Sequence, residues 1–411
     1  MVTLACVPVV TSPFSERCTM NDEFDKDNED GGCGHSTPQL SSLGLPVSPR
    51  GYLHYRNTLP KRKLIIHLDI RNTILVADSV TDVCVEQALN SFLTGVVWGR
   101  EENGQFLLHS DQPSIASPKK GLCTYYKFLE KRLVRNPKSR HNLRLQTGDF
   151  VFTPQGQKFQ EHFHKHLHRL LWTYESHPIR DKKLTMCGRD GKPYHYILPS
   201  VYKLIYHLWE SNRDFAIVIR TYGQDAPNVL TSLNYGLHGN HPSFSKSINI
   251  NVNMHPGTIK RRGDSIELFT SNGGQDVQQN LVYEKDIYRK LCNSQGISGY
   301  VDDFAFWQKH NYDHAAGKPF WVDLNDERHH HIFFDDNFRA NDEDSIIDVR
   351  KFTRENPLEA VSMEHEEVAR LENVFLVQAN LLSSIEDEDY FIRMTNLCEQ
   401  NFYTMFNSKQ L

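Results

Sequence analysis

The sequence has few cysteines, and they follow no pattern. Eight cysteines are scattered over 411 residues, without a CxxC pair or a repeated spacing. Disulfide frameworks are typical of short secreted chains with regularly spaced cysteines. We therefore expect reduced thiols and a cytoplasmic protein.

Long apolar runs and a strong excess of one charge are also missing. No apolar run approaches the roughly 18 residues that a membrane span requires, and the N-terminal VTLACVPVV lacks the basic lead-in of a secretory signal. The formal net charge of -5 is small for this length, so it indicates neither nucleic acid nor a membrane surface as a partner. The sequence also lacks a glycine-rich phosphate loop and a GxSxG nucleophile motif.

Residues 1–58 are rich in Ser, Pro, Gly, Asp and Glu and show little apolar periodicity. Such a segment cannot bury enough apolar surface to offset the entropy lost on ordering, so we predict a disordered tail. After it, four short apolar runs closed by polar residues have the pattern of strands that are covered on both faces. These runs are KLIIHLD (63–69), FAIVIRT (215–221), HIFFDDN (331–337) and NVFLVQAN (373–380).

Helical patterns lie between and after these strands. SVYKLIYHLWESN (200–212) opens with a serine N-cap and carries apolar residues at helical spacing. DAPNVLTSLNYG (225–236) begins with an acid and a proline and ends with glycine, and the tail from IEDEDYF (385–391) predicts a closing helix. The alternation predicts an α/β doubly wound, parallel-sheet core built from residues 59–78 and 200–411.

About 140 residues separate the first two predicted strands, which is too many for a loop. They include a predicted hairpin, GVVWGREENGQFLLHS (95–110), and the helical pattern LCTYYKFLEKRLV (122–134). A second predicted hairpin, LTMCGRDGKPYHYIL (184–198), follows further along. We predict that residues 79–199 form an inserted α+β module.

Polar side chains stand where the predicted strands end, and ligands of open α/β sheets bind at the carboxyl ends of strands. They are Asp69, Thr73 on the exit loop, Thr221, the pair Asp335 and Asp336, and an upstream Lys318. Carboxylates from two strands suit Mg²⁺, which binds through one or two carboxylates and phosphate oxygens. A hydroxyl and an ammonium suit the remaining phosphate oxygens, and an aspartate so placed can attack phosphorus.

This set of residues resembles the four signatures of the haloacid-dehalogenase-like (HAD-like) superfamily, and especially its eukaryotic members of undefined substrate. The segment Asp69-Ile70-Arg71-Asn72-Thr73 corresponds to the first motif, and Thr221, Lys318 and Asp335-Asp336 correspond to the second, third and fourth. The resemblance implies a Rossmannoid core, a specificity cap inserted after the first strand, and an aspartyl-phosphate on Asp69.

The resemblance also implies a role for each residue. Mg²⁺ would be held by Asp69, the Arg71 carbonyl and Asp335, with Asp336 supporting it through water. Thr221 and Lys318 would bind phosphate, and Thr73 would stabilise the loop by hydrogen bonding. The substrate would be a phosphorylated small molecule or a phosphoprotein.

One position departs from the family pattern. Phosphatases of the family carry an Asp general acid where this chain has Arg71, and a guanidinium cannot transfer a proton at physiological pH. Losing the acid lowers the rate by about 10²–10⁴ for a poor leaving group. Three hypotheses follow: a phosphatase or phosphotransferase for activated phosphates, a slow phosphatase, or a binding protein that has lost turnover.

Other polar groups have simpler interpretations. The helix FQEHFHKHLHRLL (159–171) has histidines at metal-site spacing, but no cysteine or acid cluster completes a site, so we expect solvated faces. We predict a loop for HHH (329–331) and helix-capping roles for Asp302 and Asp303. Residues 117–145 hold nine Lys or Arg against one Glu; they could form a solvated face, steer an anionic substrate or bind nucleic acid.

Overall fold

Sixteen strands and eleven helices, numbered in chain order, make up the part of the chain that the structure describes. This computed structural model describes residues 62–76, 83–134, 140–173, 182–272, 275–340 and 345–409. The predicted tail, 1–58, lies outside the described residues.

The strands have the following bounds: β1 (Lys63–Asp69), β2 (Trp98–Glu102), β3 (Gln105–Leu108), β4 (Cys123–Thr124), β5 (Thr185–Cys187), β6 (Pro193–His195), β7 (Phe215–Thr221), β8 (Gly257–Arg262), β9 (Ser265–Asn272), β10 (Gln275–Leu281), β11 (Gly296–Val301), β12 (Lys318–Val322), β13 (His329–Asp335), β14 (Ile347–Phe352), β15 (Ala360–Ser362) and β16 (Leu376–Gln378). The helices have these bounds: α1 (Val85–Val96), α2 (Tyr125–Leu133), α3 (Arg140–Gly148), α4 (Gln160–Arg169), α5 (Pro199–Glu210), α6 (Ala226–Tyr235), α7 (Glu284–Cys292), α8 (Phe304–Lys309), α9 (His365–Ala369), α10 (Leu381–Glu386) and α11 (Tyr390–Lys409).

An eight-stranded sheet in the order β10-β9-β8-β11-β7-β1-β13-β16 forms the centre of the fold. The six strands from β8 to β16 in this order pair in parallel, whereas β9 and β10 add an antiparallel edge. Strands β1, β7 and β13 are buried along almost their whole length, because helices cover the sheet and leave no solvent face for polar side chains. The prediction of an α/β fold with a largely parallel sheet is therefore confirmed.

The described part of the segment between β1 and β7 contains five α-helices, α1–α5, and two small antiparallel sheets, β3-β2-β4 and β5-β6. In the first hairpin, Asn103 and Gly104 turn the chain with positive φ angles of 49° and 74°, as tight hairpin turns require. Apolar residues of α1, such as Leu89 and Leu93, belong to the same buried cluster as Leu64 and Ile66 of β1. The described part of this segment therefore shares one apolar cluster with the central sheet.

A further three-stranded sheet, β12-β14-β15, lies between β11 and β16 in the chain and has its own apolar cluster around Phe320 and Phe338. The sequence patterns did not predict this sheet or strands β8–β10. Two other expectations need correction. HHH (329–331) is the start of β13 and not a loop, and the C-terminal helix is divided into α10 and α11 near Asp387. None of the described helices is long and apolar enough to cross a membrane.

Candidate functional site

The carboxyl ends of the three adjacent strands β7, β1 and β13 meet at one edge of the central sheet. Asp69 ends β1 and pairs in register with Arg220 of β7. Asp335 ends β13, whose Phe334 is the partner of Leu68. Because parallel strands end at the same edge, the side chains predicted from separate strands are brought together here.

Lys318 connects the two strand-end carboxylates. Its Nζ donates hydrogen bonds to Asp69 Oδ1 at 2.6 Å and to Asp335 Oδ2 at 2.8 Å. Only 2 % of Lys318 is exposed. Its ammonium also lies 5.4 Å from the ring centroid of Tyr222, which stacks on Trp307. Lys318 is the first residue of β12, which belongs to the three-stranded sheet β12-β14-β15, and this places its side chain at the strand ends.

Asp69, Asp335 and Asp336 form a cluster of three buried carboxylates. Each offers one oxygen, and these oxygens lie within 4.8 Å of one another. Hard oxygen donors at this spacing are the ligand type of Mg²⁺. Lys318 pairs with one carboxylate oxygen each of Asp69 and Asp335, and a divalent cation would bind through the other carboxylate oxygens of the cluster. The residues present therefore fit a divalent metal ion.

Two polar residues of the loop after β1, Asn72 and Thr73, form hydrogen bonds with Asp336. Asn72 has a positive φ of 55°, a conformation that asparagine tolerates better than most residues. Its Nδ2 donates to Asp336 Oδ2 at 3.2 Å, and the Asp336 N–H donates to Thr73 Oγ1 at 3.2 Å. Thr73 is fully buried, so its hydroxyl has the loop-supporting contact expected for this position.

Thr221 ends β7 at the same edge. Its Oγ1 accepts a hydrogen bond from the N–H of Gly223 at 2.9 Å. A Cβ at Gly223 would lie 3.0 Å from Asp225 Oδ2 and 3.4 Å from the Thr221 hydroxyl. The turn after β7 is therefore tight, and a larger residue at 223 would crowd two polar groups of the site.

Burial and like charges disturb the titration of the cluster. The pKa of Asp69 is raised to about 7, chiefly by burial; Lys318 opposes this rise and Asp335 adds to it. Burial and the neighbouring carboxylates of Asp335 and Asp69 raise the pKa of Asp336 well above its usual value. The Lys318 ammonium remains charged because these carboxylates raise its pKa despite burial.

Arg71 lies beside this cluster. Burial lowers the pKa of its guanidinium, while the carboxylates of Asp225, Asp69 and Asp336 raise it. Arg144, which belongs to α3, lies close enough to Arg71 to lower the pKa of its guanidinium. Two cations from different parts of the chain thus lie close to each other at this edge, an arrangement that suits an anionic ligand.

Asp302 is a buried partner that the sequence patterns missed. We predicted helix caps at Asp302 and Asp303, but only the side chain of Asp303 accepts from a helix N–H, that of Phe306, at 3.1 Å. Asp302 instead accepts from Arg220 Nε at 3.0 Å and Nη2 at 2.5 Å. An arginine near the end of an apolar strand, as in FAIVIRT, was the available signal for such a partner.

The histidine-rich helix α4 belongs to a different part of the protein. His166 is buried, with Nδ1 2.5 Å from the His162 carbonyl oxygen and Nε2 2.9 Å from Glu386 Oε1. His164 and His168 are exposed, as predicted, but the expected solvated position is wrong for His166, which packs inward and contacts Glu386. Among the described residues, α4 contributes to no group of three clustered metal ligands.

No family model, curated protein or solved structure matches this chain. What the site can do follows from its own side chains: buried carboxylates around an ammonium, a hydroxyl on each side, and guanidinium groups nearby.

Proposed function

We propose that the protein is a Mg²⁺-dependent phosphatase or phosphotransferase of the HAD-like type that acts through Asp69. The observation that carries the proposal is the double ion pair of Lys318. This lysine contacts Asp69, which lies 249 positions earlier in the chain, and Asp335, which ends the neighbouring strand β13. A buried lysine between two acids, with a third acid within 4.8 Å, is costly as a structural device alone. The order of these residues along the chain, which resembles the superfamily motifs, supports the same function.

In the proposed reaction, an Asp69 carboxylate oxygen attacks phosphorus, and the bond between phosphorus and the leaving-group oxygen breaks. The leaving group departs with the electron pair, and Asp69 becomes an aspartyl-phosphate. Water or another acceptor then attacks this phosphorus and releases the Asp69 carboxylate. Lys318 neutralises charge beside the nucleophile, and the Thr221 hydroxyl offers a hydrogen bond to phosphate. Mg²⁺, bound by Asp69, Asp335 and the Arg71 carbonyl, with Asp336 through water, would offset charge on the transferring group.

The substrate class follows from Arg71. Its guanidinium cannot protonate a leaving group, so the favoured substrates are acyl phosphates and phosphoanhydrides, whose leaving groups are stable anions. Arg71 and Arg144 together provide positive charge for such an anion. We therefore expect a phosphorylated small molecule or a phosphoprotein carrying an activated phosphate.

The alternative is a phosphate-binding protein with little or no turnover. It is favoured by one specific contact: Lys318 already occupies Asp69 Oδ1, and position 71 supplies no proton carrier. Such a protein would keep Mg²⁺ and phosphate affinity without forming the aspartyl-phosphate.

A substrate panel distinguishes the two functions. Phosphate release is measured from aryl phosphates, alkyl phosphates, acyl phosphates and phosphoanhydrides, with and without Mg²⁺. Asp69→Asn should abolish any turnover, whereas Asp323→Asn, which alters another lysine-paired acid, should retain it. Turnover that survives in Asp69→Asn would refute the nucleophile. Absence of turnover on every substrate, with Mg²⁺-dependent phosphate binding retained, would establish the alternative.

A further inference from the structure

A second cluster of ligating side chains lies at the opposite end of β13. Cys292 Sγ, one oxygen of Asp326 and one nitrogen of His329 lie within 4.8 Å of one another. His331 extends the group, because its Nε2 lies 3.3 Å from Cys292 Sγ. Cys292 ends α7, and Asp326 precedes β13. His329 and His331 are the first and third residues of β13, so their side chains lie on the same face of the strand. One cluster thus joins a helix end, a loop and a strand.

We propose that Cys292, Asp326, His329 and His331 form a zinc site that is separate from the carboxylate cluster. One thiolate, two imidazoles and a carboxylate are ligand types of Zn²⁺, and the sulfur disfavours Mg²⁺ and Ca²⁺. This proposal is independent of the proposed phosphoryl chemistry. The six residue steps from His329 to Asp335 separate the two sites by roughly 20 Å along the strand.

Two pairs of ligand atoms have separations close to those of a tetrahedral site. Zinc bonds of about 2.3 Å to sulfur and about 2.0 Å to nitrogen or oxygen imply ligand atoms roughly 3.3–3.6 Å apart. Cys292 Sγ and His331 Nε2 are 3.3 Å apart, and His329 Nδ1 and Asp326 Oδ2 are 2.9 Å apart. Zinc binding therefore requires these two pairs to separate by a few tenths of an ångström. It also requires His331 Nε2 to move toward Asp326 and His329, because, of the four proposed ligands, only Cys292, Asp326 and His329 have ligand atoms that all lie within 4.8 Å of one another.

The surroundings of the ligands resemble those of a metal centre. His331 Nδ1 lies 3.1 Å from His67 Nε2. If Nδ1 of His331 carries the proton and donates it to His67, then Nε2 presents a lone pair toward Cys292. A hydrogen bond from the non-ligating nitrogen is the usual way in which a protein orients a metal-binding histidine. The Tyr288 hydroxyl donates to Asp326 Oδ2 at 2.8 Å and orients that carboxylate in the same manner.

Charge and proton balance are consistent with zinc. A Cys292 thiolate and an Asp326 carboxylate together neutralise the dication, which makes burial of the ion tolerable. Binding releases the thiol proton of Cys292. The proton on Nδ1 of neutral His329 is carried by Nε2 instead when Nδ1 becomes the ligand. Cys292 and His331 are buried, whereas His329 and Asp326 are partly exposed, so the ion can enter from the surface.

The first experiment measures zinc in the full chain. The protein is produced without a polyhistidine tag, dialysed against a weak chelator and analysed for zinc per chain by mass spectrometry. We expect about one equivalent in the wild type and a loss of at least fivefold in Cys292→Ser and Asp326→Asn. Asp326→Asn retains the Oδ1 that accepts from the backbone N–H groups of Arg328 and His329. It therefore tests the ligand even where the cysteine variant fails to fold.

Two controls and a spectroscopic readout complete the test. Cys187→Ser alters an exposed cysteine and should retain zinc, as should Asp69→Asn, whose retention separates this site from the proposed catalytic one. Replacing zinc with Co²⁺ should give a thiolate-to-cobalt charge-transfer band that Cys292→Ser lacks. Zinc at background level in the wild type, or full occupancy in both Cys292→Ser and Asp326→Asn, would overturn the proposal.

Discussion

Removing the Lys318 ammonium tests whether the carboxylate cluster is a cation site. Lys318→Met keeps most of the apolar stem but leaves Asp69 and Asp335 without their shared partner. Breaking a buried ion pair on one side costs about 3–5 kcal/mol in the free energy of unfolding. In a Mg²⁺-free buffer at about pH 8, we expect a loss of this size.

Mg²⁺ should restore part of this lost stability. With the ammonium gone, the metal ion no longer competes with Lys318 for Asp69 Oδ1 and Asp335 Oδ2. A ligand at about 100 times its Kd stabilises the folded state by about 2.7 kcal/mol. Saturating Mg²⁺ should therefore stabilise Lys318→Met by a larger amount than it stabilises the wild type.

The assay is urea unfolding followed by fluorescence and circular dichroism, with EDTA or with Mg²⁺. Arg220→Met is the matched control, because it leaves Asp302 buried without its bidentate partner, and Asp302 is not one of the three clustered acids. This control should lose comparable stability and recover none of it with Mg²⁺. Equal Mg²⁺ effects on Lys318→Met and the wild type would refute a divalent site at these carboxylates.

Three further predictions concern the catalytic position, the loop and the buried histidines. Arg71→Asp restores a proton carrier and should raise hydrolysis of alkyl phosphates by about 10²–10⁴; an unchanged rate would exclude a competent pocket. Thr73→Val removes the acceptor of the Asp336 N–H and should lower the free energy of unfolding, measured in urea, by about 1–3 kcal/mol. A smaller loss would contradict a stabilising role for this hydrogen bond. Burial lowers the pKa of His195 to about 4, below about 6.5 in the unfolded chain. The unfolded chain therefore binds the proton first, and stability should fall by about 1.4 kcal/mol per unit as the pH drops from about 6.5 to about 4. His195→Gln should flatten this slope relative to the exposed His255→Gln variant.

Strand ends were the most predictable part of the protein. The apolar runs that contain β1, β7 and β13 are continuous and short, and each closes on a polar residue, so pattern alone located Asp69, Thr221 and Asp335. Lys318 was singled out by its place shortly upstream of the last of these strands. The hairpin at 95–110 was also predicted, and its turn residues Asn103 and Gly104 have the positive φ angles that tight hairpin turns require.

Elements with weak or mixed patterns were not predictable. Strands β8–β10 carry many polar residues, because they form the antiparallel edge of the sheet, and the sheet β12-β14-β15 depends on pairing between distant segments. Of the predicted strand at 373–380, only Leu376–Gln378 pairs with β13. The extent of the inserted module, 79–199, stays a prediction.

The sequence by itself determined which side chains stand at the ends of strands, because local apolar periodicity sets both the strand and its last residue. Only the tertiary structure decided which of them meet. Lys318 contacts Asp69 across 249 positions, Asp302 pairs with Arg220, and Cys292 approaches His331. Such contacts depend on strand order and on the packing of one sheet against another, which no local pattern encodes.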